Sequence, residues 1–221
     1  MPLPRTLEPE IMDEVDDAID YDGMNHAAVN ALFVRDLLEF ASPLPTPVLD
    51  VGTGTAQIPI ELARRAAGVV VHGLDAAASM IELGRRNIER AGFSASITLD
   101  RSDARTLPYS HGEWLCVISN SLIHHIAEPL DVLREMTRLL QPNGRLFVRD
   151  LARPDSSEAV DAIVATYAKE EAEHARRLFR DSLHAALTLE EIRSLVVELG
   201  YAAETVTMTS DRHWTWAARG I

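Results

Sequence analysis

The chain has 221 residues, which is enough for one well-packed α/β domain, and 47% hydrophobic with 25% charged residues is typical of a globular protein rather than a disordered one. Its 34 acidic and 21 basic residues give a net charge of −13, which would repel phosphate backbones and disfavours a nucleic-acid substrate. Lys169 is the only lysine, so chemistry that needs a Schiff-base lysine or a lysine in a phosphate-binding loop has almost no residue to use.

The chain begins with an acidic segment and a predicted helix. Residues 1–22 carry eight acids and one base. The apolar residues that follow recur at helical spacing: Val29, Leu32, Phe33, Leu37 and Leu38. The proline-rich residues 42–47 end that helix and return the chain to an extended form.

Short apolar runs then alternate with amphipathic stretches, which is the pattern of strands separated by helices. The predicted strands are 48–51, 69–74, 96–99, 114–119 and 145–151, and the predicted helices among them are 56–67, 77–91 and 129–140. Helices of this length connect strands by right-handed crossovers, and strand runs that are nearly all apolar fit a sheet covered on both faces. The pattern predicts a doubly wound, mostly parallel α/β sheet with helices on both faces.

The C-terminal part changes this rhythm. Residues 155–183 are helical and densely charged, and Thr188–Glu191 forms a capping box for a helix that ends at Gly200. Two strand-like runs, 203–209 and 213–218, are joined by only three residues, which is too short for a crossover helix and makes them antiparallel neighbours. We expect a seven-stranded sheet closed by this C-terminal antiparallel hairpin, in a single domain over residues 1–221.

A glycine loop follows the first strand and gives the first sign of a ligand. Asp50-Val51-Gly52-Thr53-Gly54-Thr55 leads from the strand into a helix, and glycines there let a ligand approach the backbone closely. Asp75 follows the next strand, 23 residues after Gly52, and this spacing suits a carboxylate that accepts hydrogen bonds from both ribose hydroxyls of an adenosine ligand. A tight turn without a ligand is the alternative that this spacing disfavours.

An adenosine site of this kind serves nicotinamide dinucleotides as well as S-adenosylmethionine, and two residues separate them. Gln57 stands where the dinucleotide fingerprint needs a third glycine for close helix packing. Asp50 would repel a pyrophosphate but can help to hold the cationic ammonium group of a methionine. These residues favour S-adenosylmethionine, with a nicotinamide-dependent oxidoreductase as the alternative.

Five segments resemble the motifs of the class I S-adenosylmethionine-dependent methyltransferases, over about residues 47–151. They are Val48–Thr55, Gly73–Asp75, Asp100–Ala104, Ile118–Ile126 and Leu139–Leu146. The closing strand pair is similar to the antiparallel hairpin that distinguishes this fold from the dinucleotide-binding one. Within the family, the chain is most similar to the small-molecule branch that includes quinone C-methyltransferases.

The resemblance implies a cofactor site at the carboxyl ends of the strands. It places Asp75 at the ribose, Asp103 at the adenine, and the two loop glycines at the methionine end. The predicted cofactor-binding residues are Asp50, Gly52, Thr53, Gly54, Asp75, Ala76, Asp103, Ala104 and Asn120. The resemblance also divides the chain into an N-terminal helical lid (1–46), a cofactor-binding core (47–151), and C-terminal helices with the closing hairpin (152–221).

Residues at the ends of the fourth and fifth strands are candidates for the substrate side, because ligands of open α/β sheets bind beyond the carboxyl ends of the strands. His125, His124 and Asp150 are the predicted catalytic residues, since an imidazole can accept a proton at neutral pH and the acid can orient a donor or take the proton itself. Methyl transfer from a sulfonium is an in-line displacement that needs a base only for an acidic nucleophile. Structural histidines and a strand-end acid bound to backbone amides are the alternatives.

Five further residues are predicted to bind substrate: Tyr21, His26, Arg149, His184 and His213. Tyr21 and His26 precede the first strand, where members of the family often have a lid, and a helix cap built on Asp22 or Asn25 is an equally good explanation. The guanidinium of Arg149 could bind an anionic group. The two later histidines lie in the part of the chain that usually supplies the substrate cover.

The remaining expectations concern metal, location and partners. The sequence predicts no metal site, because the four histidines that could share one lack a recognisable ligand spacing. They are His124, His125, His184 and His213. Cys116 is the only cysteine, no apolar run reaches the ~20 residues of a membrane span, and residues 1–5 lack the apolar core of a signal peptide.

We therefore expect a cytoplasmic enzyme without membrane insertion that methylates O, N or C of a small metabolite. We consider a homodimer as the oligomeric state of this enzyme. A cofactor-binding regulatory protein without turnover is the alternative to an enzyme.

Overall fold

The computed structural model describes residues 3–8, 18–19, 22–23 and 26–221. It divides into two compact units. The larger unit consists of Ile11–Asn120, Asp131–Val148 and Ala217–Ile221, and the smaller unit of Met1–Glu10, Ser121–Leu130 and Arg149–Trp216. The glycine loop belongs to the larger unit, and the predicted catalytic residues belong to the smaller one.

Helices and strands alternate through most of the described chain. Its helices are α1 (Ala27–Phe40), α2 (Gln57–Arg65), α3 (Ala78–Ala91), α4 (Pro129–Leu139), α5 (Ser157–Tyr167), α6 (Glu173–Ala185) and α7 (Leu189–Glu198). Its strands are β1 (Val48–Val51), β2 (Val71–Asp75), β3 (Ile97–Arg101), β4 (Trp114–Asn120), β5 (Leu140–Leu151), β6 (Val206–Met208) and β7 (His213–Arg219). Short 3-10 turns lie at Ile123–His125 and Ala203–Thr205.

The strands form one seven-stranded sheet in the order β3-β2-β1-β4-β5-β7-β6. β2 and β4 pair with β1 in parallel, β3 pairs with β2 in parallel, and β6 pairs with β7 in the antiparallel sense. The strand order reverses between β1 and β4, and in such sheets the reversal leaves a crevice beyond the carboxyl ends of the two strands. The predicted fold class, a mostly parallel α/β sheet with a C-terminal antiparallel hairpin, is confirmed.

The core of the larger unit explains why its strand runs are apolar. All four residues of β1 are buried, including Asp50. Phe33 on α1 meets Phe147 on β5 edge to face, with ring centroids 5.2 Å apart, in a cluster that also contains Cys116. Burial raises the pKa of the Cys116 thiol to about 12, so this cysteine packs as a small apolar residue. The packing fixes β1 and, with it, the start of the glycine loop.

The smaller unit contains the helices that follow β5. α5 and α6 pack through one apolar cluster, and its buried members are Leu151, Val160, Val164, Ala168, Leu183 and Ala186. The predicted capping box is present at the start of α7. Thr188 Oγ1 accepts a hydrogen bond from Glu191 N at 3.2 Å, and Glu191 Oε2 accepts one from Thr188 N at 2.8 Å. The capped end fixes where α7 begins.

Two strands differ in length from their prediction by more than one residue. β5 begins at Leu140 rather than at residue 145, because Asn143 N donates to Gly220 O at 2.8 Å and the chain is already paired there. Asn143 has a φ of 63°, so the strand contains a residue in the left-handed conformation. β6 covers only Val206–Met208, because the three residues before it form a 3-10 turn.

Two glycines, one on β2 and one on α3, let these elements approach the glycine loop closely. A Cβ on Gly73 of β2 would lie 2.6 Å from both Thr53 Oγ1 and Leu99 Cδ2. A Cβ on Gly84 of α3 would lie 2.8 Å from Leu99 Cδ1 and 3.3 Å from Gly54 O. Neither position has room for a side chain, so the loop packs directly on glycine.

We expect Gly73→Ala to lower the free energy of unfolding by about 1–3 kcal/mol, because the added methyl group must displace Thr53 or Leu99. Denaturant unfolding measures this change. Gly23→Ala is the matched control, since a Cβ at Gly23 would meet nothing within 4 Å. Equal stability of the two variants would contradict the close packing at Gly73.

Candidate functional site

The glycine loop is a left-handed turn tied to the end of β2. Gly52 and Gly54 have φ values of 75° and 54°, and Ala56, directly before α2, has a φ of 65°. Gly52 N and Thr53 N both donate to Leu74 O at 2.8 Å. A left-handed residue with a side chain, such as Ala56, is strained, and strain of this kind clusters at ligand sites. The loop backbone is therefore held in an open form by the neighbouring strand.

Asp75 joins the glycine loop to the start of α3. Its Oδ2 accepts a hydrogen bond from Gly54 N and its Oδ1 accepts one from Ala77 N, both at 2.9 Å. A carboxylate can accept about four hydrogen bonds. A residue in this position can therefore hold the loop and bind hydroxyl groups at the same time.

Asp50 is a buried acid at the start of the same loop. It is 1% exposed, and Thr53 Oγ1 donates to its Oδ2 at 2.7 Å. Burial raises the pKa of Asp50 to about 7, with the hydrogen bond from Thr53 opposing this shift and the charge of Asp75 adding to it. A buried carboxyl group that ionises near neutral pH is stabilised by a cation placed beside it. An ammonium group is such a cation.

Gln57, which replaces the third glycine of the dinucleotide fingerprint, connects three segments of the larger unit. Its Oε1 accepts a hydrogen bond from Asn30 Nδ2 at 3.0 Å, and its Nε2 donates to Asp22 Oδ1 at 3.2 Å. Asn87 Nδ2 donates to the same Asp22 oxygen at 2.9 Å and to Thr55 O at 3.2 Å. The Gln57 side chain therefore links the start of α2, just after the glycine loop, to α1 and to the segment before α1.

The residues predicted for the adenine side lie after β2 and β3. Asp103 is 47% exposed, and both of its oxygens bond to the Arg105 guanidinium at 2.9–3.2 Å. The hydrogen bond from Arg105 holds the pKa of Asp103 below its ordinary value. Ala76 O accepts a hydrogen bond from Arg101 Nε at 2.8 Å, and Ala104 is half-buried. An adenine contact would require Asp103 to exchange Arg105 for the base, and the role stays a prediction.

The smaller unit places the predicted catalytic residues close together, with His124 hydrogen-bonded to Asp150 and the rings of His124 and His125 in contact. The chain leaves β4 at the half-buried Asn120, turns at Ser121 with a φ of 57°, and enters the 3-10 turn. Asp150 Oδ1 lies 2.5 Å from His124 Nδ1, and Asp150 Oδ2 accepts a hydrogen bond from Ile123 N at 2.5 Å. Both side chains of the pair are buried. Asp150 therefore contacts an imidazole and also accepts hydrogen bonds from backbone amides, and its catalytic role stays a prediction.

The electrostatics of this pair favour its charged form. Burial lowers the pKa of His124, but the charge and hydrogen bond of Asp150, together with the charge of Glu8, outweigh burial and raise it above its ordinary value. Burial raises the pKa of Asp150, but the charge and hydrogen bond of His124 and the backbone donors hold it below its ordinary value. A protonated His124 is a poor proton acceptor. His125, with a side chain 19% exposed, is the better candidate for a base.

Glu8 completes this group and was missed by sequence reasoning. Its Oε1 lies 3.4 Å from His124 Nε2 and 3.2 Å from His125 Nδ1, and Ser182 Oγ donates to its Oε2 at 3.2 Å. Burial raises the pKa of Glu8 above its ordinary value, and the charge of His124 opposes this shift. Glu8 lies in a segment with many acids, and nothing in the sequence distinguishes it from the others.

Arg5 anchors the segment that carries Glu8. Its Nε donates to Ala185 O at 2.6 Å, and its Nη2 donates to Ile126 O at 2.8 Å and to His124 O at 3.3 Å. The backbone of this segment is also bonded, since the amide of residue 6 donates to His184 O at 3.1 Å. His184, predicted to bind substrate, thus contributes its carbonyl oxygen to this anchor. The hydrogen bonds of residues 5 and 6 therefore fix the position of the segment that carries Glu8.

Two other residues predicted for the substrate side are buried. Arg149 Nε donates to Thr215 Oγ1 at 2.8 Å. His213 Nδ1 lies 2.8 Å from Ser210 Oγ, and burial, assisted by the charge of Arg212, lowers the pKa of His213 to about 4. His213 is therefore neutral at neutral pH and suits a hydrogen bond better than a charged contact. Substrate binding by both residues stays a prediction.

The predicted lid residues lie before β1. Tyr21 and Asn25 are outside the described residues. His26 is the residue before the first turn of α1, and its side chain makes no capping hydrogen bond. Asp22 Oδ1 accepts hydrogen bonds from Gln57 and from Asn87 of α3. A helix cap built on Asp22 or Asn25 stays an alternative to the lid.

The sequence matches known methyltransferases over most of its length. Residues 45–204 match the family model of a methyltransferase domain. The chain is 28% identical over 200 residues to the ubiquinone/menaquinone biosynthesis C-methyltransferase UbiE of Pseudomonas paraeruginosa, across 83% of this chain and 77% of that protein. The UbiE protein of Pseudomonas savastanoi pv. phaseolicola is 28% identical over 203 residues, with the same coverage.

Solved structures show the same fold. A SAM-dependent methyltransferase from Aquifex aeolicus superposes with a TM-score of 0.68 at 14% identity, across 94% of this chain and 99% of that one. The plantazolicin methyltransferase BamL, solved with a substrate analogue and S-adenosylhomocysteine, superposes with a TM-score of 0.67 at 18% identity, across 87% of this chain and 70% of that one. None of the described helices combines the length and apolarity that a membrane span requires.

The residues at the glycine loop fit S-adenosylmethionine. The loop backbone is held open by left-handed residues, Asp75 offers a carboxylate for hydroxyl groups, and Asp50 offers a buried acid for a cation. The family model covers well over half of the sequence. The chain therefore belongs to the methyltransferase domain family and is an S-adenosylmethionine-dependent methyltransferase.

Proposed function

We propose that this enzyme transfers the methyl group of S-adenosylmethionine to an oxygen, nitrogen or carbon atom of a small metabolite. The observation that carries the proposal is the buried Asp50 carboxyl group, bonded to Thr53 of a loop that Asp75 ties to the next strand. A pyrophosphate beside that acid would meet a second negative charge in a region of low dielectric. The nicotinamide-dependent alternative is therefore not retained.

The cofactor half of the proposal uses the carboxyl ends of β1, β2 and β4. S-adenosylmethionine supplies an activated methyl group on a sulfonium ion. We assign Asp75 to the ribose hydroxyls and Asp50 to the ammonium group of the methionine. The other residues assigned to the cofactor are Gly52, Thr53 and Gly54 at the methionine end, Ala76, Asp103 and Ala104 on the adenine side, and Asn120 at the end of β4.

The substrate half of the proposal uses the histidine group of the smaller unit. His125 accepts the proton of an acidic nucleophile. His124, which is held by Asp150, positions the ring of His125. Alignment of the acceptor and exclusion of water supply most of the acceleration. His26, Arg149, His184 and His213, with Tyr21, are the candidates for contacts to the acceptor.

The acceptor class is supported by the relatives and by charge. The UbiE relatives are named as ubiquinone/menaquinone biosynthesis C-methyltransferases, and this name supports a small-molecule acceptor for this chain. The net charge of −13 supports a substrate other than a nucleic acid.

We further propose one functional domain over the whole chain, a cytoplasmic location, and a lid formed by residues 1–46. The hydrogen bond between Gln57 and Asp22 supports the lid. A homodimer is the assembly to examine by light scattering.

Asp75→Asn tests the cofactor assignment. The substitution removes the negative charge and one acceptor oxygen, so we expect the affinity for S-adenosylhomocysteine to fall about 10- to 100-fold. Isothermal titration calorimetry measures this change. Asp131→Asn, at an exposed acid of α4 paired with Arg134, is the matched control and should leave the affinity unchanged. Unchanged affinity in Asp75→Asn would remove this residue from the cofactor site.

The raised pKa of Asp50 predicts a stability that depends on pH. Because the pKa rises from 3.8 to about 7 on folding, the stabilisation by this proton is complete below the unfolded value and is lost as pH rises through about 7. We expect Asp50→Asn, without cofactor, to be more stable than the native chain by at most about 4 kcal/mol at about pH 8, and by only about 1–2 kcal/mol at about pH 5, where the folded carboxyl group is still protonated.

Urea unfolding at both pH values measures the Asp50 effect, with Asp131→Asn again as the control. The same variant should bind S-adenosylmethionine more weakly at alkaline pH, because the ammonium group loses its charged partner. A stability difference that is equal at the two pH values would show that Asp50 does not titrate in this range.

A further inference from the structure

We propose that Glu8, His124 and His125 form a binding site for a divalent transition-metal ion, and that Zn²⁺ is the ion the ligand set suits best. The acid comes from the N-terminal segment and the two imidazoles from the 3-10 turn after β4, all within the smaller unit. One ligand atom from each side chain lies within 4.8 Å of the other two. Two imidazoles and a carboxylate are the protein ligands of many catalytic zinc sites.

The measured distances match a coordination tetrahedron. Glu8 Oε1 lies 3.4 Å from His124 Nε2 and 3.2 Å from His125 Nδ1. Zinc bonds of about 2.0–2.1 Å in a tetrahedral site place neighbouring ligand atoms about 3.3–3.4 Å apart. The two contacts are therefore close to two edges of such a tetrahedron.

The Glu8 carboxylate is buried in a way that a cation would explain. Its side chain is 10% exposed, and no donor in the described part of the chain makes a hydrogen bond to Oε1. Leaving a buried acceptor without a donor costs free energy. Ser182 bonds to the other oxygen, which directs Oε1 towards the imidazoles. A metal ion between the three side chains would satisfy this oxygen.

The groups behind the proposed ligands are those that metal sites use to fix a histidine. A metal-bound histidine usually donates its second ring N–H to a carboxylate or carbonyl group. His124 Nδ1 lies 2.5 Å from Asp150 Oδ1, so Nε2 is the nitrogen that faces Glu8, and an ion bound there would displace the Nε2 proton to solvent. Asp150 is itself held by Ile123 N and Leu151 N. Arg5 holds the N-terminal segment to the same turn through His124 O. The ligands are therefore oriented before any ion arrives.

The ligand types select the ion and suggest its use. Mg²⁺ and Ca²⁺ prefer oxygen ligands, whereas imidazole nitrogen suits Zn²⁺ and neighbouring transition metals. Three protein ligands leave one tetrahedral position for an oxygen atom of water or of a small molecule, whose pKa the ion lowers. This use rests on the proposed function, because the ion would then activate an acceptor hydroxyl in place of His125. Ion binding itself does not depend on it.

The proposed site differs from the group of four histidines for which the sequence analysis predicted no metal. His184 and His213 take no part in it, since His184 contributes its carbonyl oxygen to the N-terminal segment and His213 bonds to Ser210. The third ligand is an acid from the far end of the chain.

Zinc titration of the full chain without a histidine tag, after removal of metal by a chelator, tests this proposal. Calorimetry and elemental analysis should give one zinc ion per chain, and excess Mg²⁺ should not displace it. Glu8→Gln and His125→Gln should each weaken zinc binding by about 10-fold or more. His174→Gln, at an exposed histidine of α6 beside Arg177, is the matched control and should bind zinc as the native chain does.

Cobalt gives a second readout, because Co²⁺ bound by two imidazoles and a carboxylate absorbs visible light. That absorption should be lost in Glu8→Gln and kept in His174→Gln. Circular dichroism and S-adenosylhomocysteine binding show whether each variant is folded. A folded native chain that binds no zinc, or zinc binding unchanged in both Glu8→Gln and His125→Gln, would overturn the metal site. Zinc binding without any S-adenosylhomocysteine binding would leave the metal site standing and count against the proposed function.

Discussion

The hydrogen bonds of the Asp75 carboxylate are the constraint on which the rest of the proposed cofactor site depends. One oxygen holds Gly54 N and the other holds Ala77 N, so the glycine loop and the start of α3 share a single acid. Gly73, on the same strand, leaves no room beneath Thr53 for a side chain. The hydroxyl of Thr53 in turn bonds to Asp50. Loop, strand ends and helix therefore form one connected arrangement, and the family's cofactor chemistry follows from it.

Two buried acids show how neighbouring groups decide the charge state. Asp50 has only a hydroxyl and a second acid nearby, so burial raises its pKa to about 7. Asp150 is equally buried, but an imidazole and backbone amides surround it and hold its pKa below the ordinary value. The acid of the larger unit is thus suited to receive a cation from a ligand, whereas the acid of the smaller unit already has one in His124.

The sequence predicted the fold well because its signals are local: apolar strand runs, the Thr188 capping box, and a three-residue link between the last strands. It did not predict the early start of β5, because that depends on pairing with Gly220 far along the chain. Asp103 and Arg105 are two residues apart in the sequence, but the sequence alone does not show that their side chains form an ion pair. This pair occupies the carboxylate that was predicted to bind adenine. Glu8 could not be selected among many acids, since its role depends on where Arg5 binds.

The central claim is that the Asp50–Asp75 arrangement forms the cofactor site, and a crystal structure with S-adenosylhomocysteine tests it most directly. The account predicts that the ribose hydroxyls bond to the Asp75 carboxylate and that the ammonium group lies beside Asp50, with the hydrogen bond from Gly54 N to Asp75 intact. An adenosine bound away from Asp75, or a methionine end remote from Asp50, would contradict it.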